Sequence, residues 1–560
     1  MRKHAIVVKE CADIEALWYE ILCECTGTHL QVTDEMELIP RLCYALMSDE
    51  QATTLRQHPM VESVELAFEE RDDIRIAPCR IIQSRNNFTQ DNDVASDSVN
   101  WGLPRHSSQY NIYGTGSTPS IPYNYDRDGS GVDIVVIDSG IEKQHPEFKN
   151  DRGQSRVVEI NWGQYLTPSQ TAAQSAFNYT DNDGHGTAVA SVAAGRTYGW
   201  AKNANIYSIV LQGLDPTNPS KGYTDSQLFT ILTQWLNQKN QSSGSNPTVI
   251  NMSFAAIFDS VGRTVTGGKW RPNTAQEQNI PAGSWQQSTY GLNTYRYNDG
   301  FTNFPIRSSS LDQNVQALIN LGAHVCIAAN NFGMKVAISG NIDYDNYVDY
   351  TPASLGGNTR LYYMRGSSPW SSNALIVGSL DDAAYSTTTD QKADFSSAGP
   401  GVNIFAAGRN IKCAISNNIG PVKVKANYYW NAPGQTWQQT LISGTSFACP
   451  QVAGMSALYL QNNRPATVSQ NKTWLLSNGT YTMYKTNDAQ QDDYSDPRSQ
   501  WGGDAVVSYV PVQGPGVKIN SSTWQPIANI WYKDPATQSW NQKARSMWVK
   551  TNSNTWTQVF

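Results

Sequence analysis

Three short segments carry residue types that could perform acyl transfer. In GVDIVVIDSGIEKQHPEF, Asp138 follows a run of apolar, β-branched residues. Such a run reads as a buried strand, and open α/β sheets place their sites at the carboxyl ends of parallel strands. In DNDGHGTAVASVAAG, His185 stands between Gly184 and Gly186, ahead of a helix of small residues. Glycines there allow a backbone to approach close beside the imidazole. In LISGTSFACPQVAG, Ser446 opens a helix, where free N–H groups and the positive dipole end favour developing negative charge. Two of the three have plainer readings. A strand-ending aspartate is often a turn residue, and serine is a favoured N-cap. Together they supply an acid, a base and a hydroxyl nucleophile, in the chain order Asp, His, Ser. A metal site is poorly supplied. No second histidine lies near His185, and Asp181-Asn182-Asp183-Gly184 lacks the closing Glu of an EF-hand loop.

These residues need a rigid frame. From about residue 131, short apolar runs recur at Val132–Ile137, Ile206–Leu211, Thr248–Met252, His324–Ala328 and Ala374–Val377. Helical patterns lie between several of them, one with Leu228, Ile231, Leu232, Trp235 and Leu236 on one face, another with Val315, Leu318 and Ile319. Alternating strands and helices imply a parallel sheet covered on both faces. Residues 257–310 break the alternation with a polar, Gly/Tyr/Asn-rich stretch and read as an insertion. Residues 1–75 read as a separate small α+β unit of order β-α-β-α-β. Ser48 and Gln51 form a capping box ahead of its second helix, and Val61–Phe68 alternates like a strand. Residues 76–98 are polar and irregular and read as a linker.

DSGI, GHGT and GTSxAxPxVAG, in that order, resemble the three signature blocks of the subtilases over roughly residues 98–510. The resemblance implies a subtilisin-like three-layer α/β sandwich over residues 99–512. It also implies a serine endopeptidase with Asp138, His185 and Ser446 as its triad. HVCIAANNFG resembles the family stretch ending Ala-Ala-Gly-Asn, which implies an oxyanion-hole role for Asn331 and a place in the specificity pocket for Ala328, Ala329 and Asn330. VINMSFAA resembles the strand that pairs with substrate, lined here by Ser253, Phe254 and Ala255. Departures accompany the match. Ala255, Ala256 and Asn330 stand where the family usually has glycine, and an Asn at 330 implies a narrower or more polar pocket with a preference for small or polar side chains. Cys449, close to Ser446, implies sensitivity to thiol reagents. LMSDEQATTLRQHPMVESVELAFE resembles the end of the family's propeptide, an intramolecular inhibitor. VNWGLPR, from Val99 to Arg105, resembles the mature amino-terminal segment, so self-cleavage would fall within 76–98; a retained prosegment is the competing outcome. Family members often bind structural calcium, for which the sequence reveals no ligand set. The chemistry itself requires no cofactor.

The rest of the chain bounds partners and place. Net charge is −7 over 560 residues and no long basic run occurs, which argues against nucleic acid. No stretch is long enough to span a membrane, and the apolar run after the basic start is too short for a signal peptide. The eight cysteines have no Cys-x-x-Cys spacing and read mostly as buried free thiols. In residues 513–560, Trp524, Trp540 and Trp556 recur every 16 residues with aromatic runs between them, which reads as repeated β-hairpins. These repeats resemble Trp-rich modules of phage tail and baseplate proteins. Polar composition and the repeats together suggest a virion-associated protease whose tail docks to another subunit. Secretion by a route without a recognisable signal peptide is the alternative, as is a latent scaffold with a structural or adhesive role.

Overall fold

The computed structural model describes most of the chain. Residues 35–37, 79–99, 110, 112–122, 124, 167–174, 216–217, 284, 286, 293–302, 355–356, 358, 383–388, 420–427, 433–434, 485–498, 512–515, the stretches between the tail strands and 559–560 lie outside the described residues. Two compact units result: Met1–Tyr123 with Arg127–Val510, and Asn124–Asp126 with Pro511–Phe560.

The amino-terminal part holds Arg2–Val8 (β1), Ile14–Tyr19 (α1), Gln31–Asp34 (β2), Leu42–Met47 (β3), Asp49–Leu55 (α2) and Val61–Leu66 (β4). Its antiparallel sheet has the order β2-β3-β1-β4. β2 adds to the expected order, because the short QVTD carries no clear alternation. The capping box is present: Ser48 Oγ accepts from the Gln51 N–H, and Gln51 Oε1 accepts from the Ser48 N–H. β1 is apolar at successive positions for a physical reason. Ile6 and Val8 face a small core with Leu17, Ile21, Ala52 and Leu55, while Ala5 and Val7 join the core of the main domain. Both faces of the strand are thus covered. Ile74–Pro78 (β5) leaves this sheet altogether. It extends past residue 75 into the stretch read as a linker, because it pairs with a strand of the main domain.

That domain is built on Asp133–Asp138 (β6), Val157–Val158 (β7), Asn205–Val210 (β8) and Thr248–Met252 (β9), then Phe254–Asp259 (β10). Thr264–Trp270 (β11), Gln278–Ile280 (β12) and Asn303–Pro305 (β13) follow, then His324–Ala328 (β14), Tyr347–Thr351 (β15), Arg360–Tyr362 (β16), Leu375–Leu380 (β17) and Ile404–Ala407 (β18). Seven of these form the central sheet, in the order β18-β17-β14-β9-β6-β8-β7, parallel at every pairing. All six residues of β6 and all five of β9 and β14 are buried, as a two-sided sheet requires. Five helices complete the part that holds the site: Gly102–His106 (α3), His185–Ala194 (α4), Asp225–Asn240 (α5), Ser309–Asn320 (α6) and Thr445–Asn462 (α7). The expected subtilisin-like α/β architecture is present.

The stretch read as an insertion is less self-contained than expected. β10 runs straight into it, and β11 joins β12 to β15 and β16, which lie beyond β14, in a sheet of order β12-β11-β15-β16. The buried Asp343 ties the two parts together, accepting from Arg271 Nε at 2.8 Å and Lys335 Nζ at 2.5 Å. In the second unit the described strands form three hairpins: Gly516–Lys518 with Trp524–Pro526, Tyr532–Lys533 with Trp540–Asn541, and Trp548–Lys550 with Trp556–Gln558. Each repeating tryptophan opens the second strand of its hairpin.

Candidate active site

Asp138 is the last residue of β6 and only 1% exposed. The chain must turn sharply there. Gly140 has φ +119, and a Cβ on it would lie 2.3 Å from the Thr180 carbonyl. Two more glycines bring the histidine alongside. Gly184 caps α4 at φ +88, a conformation that suits glycine. A Cβ on Gly186 would lie 2.1 Å from the Gly140 carbonyl. This close approach is the reason for the Gly-His-Gly sequence.

His185 is the first residue of α4, and its Nδ1 lies 2.7 Å from Asp138 Oδ1. An ionised carboxylate can only accept here, so Nδ1 carries a proton, and in the neutral imidazole Nε2 keeps its lone pair. Nε2 is buried and has no hydrogen-bond partner among the described residues. Asp181 fixes the loop between them. Its Oδ1 accepts from Ser139 Oγ and the Asp183 and Gly184 N–H groups, and its Oδ2 accepts from the Thr187 N–H and Oγ1. Both oxygens are filled by protein donors, so Asp181 anchors the loop.

The other half is built around α7. Gly444 is its cap at φ +148, Thr445 its first residue and Ser446 its second. Ser446 is therefore not the N-cap. Its N–H is one of the first-turn donors without an intrahelical acceptor. Asn331 supplies the cap from the loop after β14. Its Oδ1 accepts from the Thr445 N–H and Oγ1, both at 2.9 Å. With Oδ1 held, Nδ2 is left buried without a partner among the described residues.

Ser446 Oγ donates to the Ser253 carbonyl at 2.8 Å, and Ser253 Oγ donates back to the Ser446 carbonyl at 3.1 Å. Pro450 explains the second bond. It stands four residues after Ser446 within α7 and has no N–H to close that turn. Asn251 Nδ2 in turn donates to Ser253 Oγ at 2.8 Å. Ser253 is therefore more than groove lining. The signal for this was present in the sequence as a proline four residues beyond the candidate nucleophile.

The remaining candidates fall around this centre. Phe254 and Ala255 open β10, and Ala328 and Ala329 lie at the end of β14, all buried. Asn330 follows at φ +73, a region that Asn enters more readily than most residues. Backbone conformation thus accounts for the family's glycine at this position. The Asn330 amide is engaged by Ser367 Oγ at 3.3 Å and by the Ser397 hydroxyl. Both ends of the amide are held by neighbouring loops. Phe447 packs edge-on against the His185 ring at 5.5 Å. Cys449 is fully buried in α7.

The amino-terminal part reaches this site through β5. β5 pairs antiparallel with β10, with Ala77 opposite Ala255 and Pro78 opposite Phe254. A main-chain strand thus lies on the edge expected for substrate. Ser446 has no exposed surface in this arrangement.

The model of the subtilase family matches residues 129–500, and the chain belongs to that family. It is 26% identical over 359 residues to Subtilisin-like protease 2 of Pseudogymnoascus destructans, covering 64% of this chain and 57% of that protein. It is 26% identical over 442 residues to alkaline serine exoprotease A of Vibrio alginolyticus, covering 77% of this chain and 54% of that protein. The chain thus spans little more than half the length of these relatives. Among solved structures, a cold-adapted subtilisin-like serine proteinase matches 74% of this chain and 98% of its own at 24% identity and a TM-score of 0.42. Fervidolysin of Fervidobacterium pennivorans matches 92% of this chain and 62% of its own at 14% identity and a TM-score of 0.49.

Proposed function

We propose that the protein is a serine endopeptidase that hydrolyses peptide bonds through an acyl-enzyme on Ser446. The observation that carries this is the 2.7 Å contact of His185 Nδ1 with Asp138, which turns Nε2, buried and without a partner among the described residues, to the side away from the carboxylate. Ser446 Oγ leaves the Ser253 carbonyl, gives its proton to Nε2 and attacks the scissile carbonyl carbon. Asn331 Nδ2 and the Ser446 N–H receive the oxyanion. Asp138 stabilises the imidazolium, which then protonates the leaving amine, and water repeats the sequence to release the acid. Nucleophile, base and oxyanion donors are all groups of this chain, so the chemistry needs no cofactor.

In this reading residues 1–78 are an inhibitory prosegment and β5 occupies the groove as a substrate would. Pro78 sits opposite Phe254, one residue short of Ser253, whose carbonyl holds Ser446 Oγ. The register supports self-cleavage one or two residues past Pro78. The small Ala77 opposite Ala255 agrees with a preference for small side chains. Gel and intact-mass analysis tests this: the wild type should release a fragment of about 10 kDa, and Ser446→Ala should stay whole. An uncleaved, catalytically silent wild type would instead favour a latent scaffold.

The three tandem hairpins at 516–558 favour a second element of this reading, a virion-associated phage protease whose tail docks to another subunit. Purified particles should then contain the chain. Its recovery only as free protein would favour export by another route.

A further inference from the structure

Beside the Asp138–His185 pair lies a buried cation that the motif pattern does not include. Lys221 is 7% exposed and sits in the loop between β8 and α5. Its Nζ donates to the carbonyls of Ser139 at 3.0 Å and Thr180 at 3.1 Å, and lies 3.2 Å from Asp215 Oδ2. Asp215 is itself fully buried. An ammonium is costly to bury unless it is paired and hydrogen-bonded. Here its three donors meet three acceptors.

The identity of the acceptors gives the arrangement its meaning. Ser139 directly follows Asp138, its N–H donates to Asp138 Oδ1 at 2.8 Å, and its Oγ accepts from the Gly186 N–H at 3.0 Å. Thr180 directly precedes Asp181, the carboxylate that fixes the loop into His185. One ammonium therefore spans the two segments that carry Asp138 and His185. The same loop borders the groove: a Cβ on Gly213 would lie 3.8 Å from Ile76 of β5.

We propose that Lys221 is a positioning residue for the triad, an internal ammonium that holds Asp138 and His185 in register by clamping the carbonyls of Ser139 and Thr180. The inference rests on the serine-peptidase reading above. Displacing reacting groups by about 1 Å can cost about a hundredfold in rate, so the effect falls on turnover. Substrate contacts along β10 do not involve Lys221, so KM should be nearly unchanged.

The test uses the full chain after self-processing, a chromogenic peptide amide and a fluorophosphonate probe. Wild type that fails to react with the probe overturns the peptidase reading. With a reactive wild type, Lys221→Ala should lower kcat about ten- to a hundredfold with KM little changed. Propylammonium, which replaces the atoms removed, should restore part of the rate, and tetramethylammonium at equal concentration should not. A purely structural lysine would lower the melting temperature without that rescue. Wild-type kcat in Lys221→Ala, or a loss that propylammonium leaves untouched, overturns the proposal. Should the single variant not fold, Lys221→Met/Asp215→Leu removes both buried charges. Wild-type kcat in that pair overturns the proposal, and a selective loss of kcat supports it.

Discussion

The two halves of the site are held differently. The Asp138–His185 half is locked by a fully bonded carboxylate, Asp181, and by glycine contacts too close for any side chain. The Ser446–Asn331 half rests on neutral groups: an amide oxygen at the helix cap and two serines that exchange hydrogen bonds. One half pairs a carboxylate with an imidazole. The other holds Ser446 Oγ on the Ser253 carbonyl and leaves Asn331 Nδ2 without a partner among the described residues. Charged or chargeable groups meet in the first half, and neutral groups alone build the second.

The comparison can be broken most severely at His185. His185→Ala should lower kcat/KM by at least about 10⁴-fold, since the triad acts as a unit. Retained activity on a peptide amide would contradict the assembled half. Asn331→Asp comes next. It keeps an oxygen for Thr445 and removes the Nδ2 donor, so turnover should fall about 10²- to 10³-fold with little change in KM. A loss confined to KM would assign Asn331 to substrate binding instead.

Ser253→Ala probes the weaker half. With Pro450 in place, the Ser446 carbonyl loses its side-chain donor. An unsatisfied buried acceptor should cost about 1–3 kcal/mol in denaturant unfolding. Adding Pro450→Ala should recover part of that loss by restoring an N–H, and no recovery would refute the pairing.

Acid sensitivity is a further probe of the ground beneath Ser446. His106 in α3 accepts from the Ala407 N–H at 2.8 Å, and Gly408, the next residue, accepts from the Gly444 N–H. Burial, aided by Arg105, lowers His106 from 6.5 to about 3. As pH falls the unfolded chain takes the proton first. This contribution to stability is full above about pH 6.5 and is lost progressively down to about 3. His106→Gln should flatten the melting-temperature profile between pH 6.5 and 4. An unchanged slope would remove His106 from the acid response.

Much of this was legible in the sequence. β9 and β14 have the expected limits, and β6 and β8 differ by one residue, because fully buried parallel strands leave continuous apolar runs. Asp138, His185 and Ser446 stood out as candidates because glycines at 184, 186 and 444 mark backbone that other residues rarely occupy. What was hidden depends on distant partners. β5 looks like a polar linker until β10, some 180 residues later, gives it a ladder. Asn330 looked like a pocket substitution until its φ showed a backbone requirement. Lys221 carries no motif, because two of its three acceptors are carbonyls that any residue supplies.

The central claim is that Ser446 is a nucleophile activated by His185. Reaction of the processed protein with a fluorophosphonate, followed by intact mass and peptide mapping, tests it most directly. The account predicts one adduct per chain, on Ser446, absent in Ser446→Ala and slowed by orders of magnitude in His185→Ala. An adduct on another residue, or equal labelling in Ser446→Ala, would contradict it.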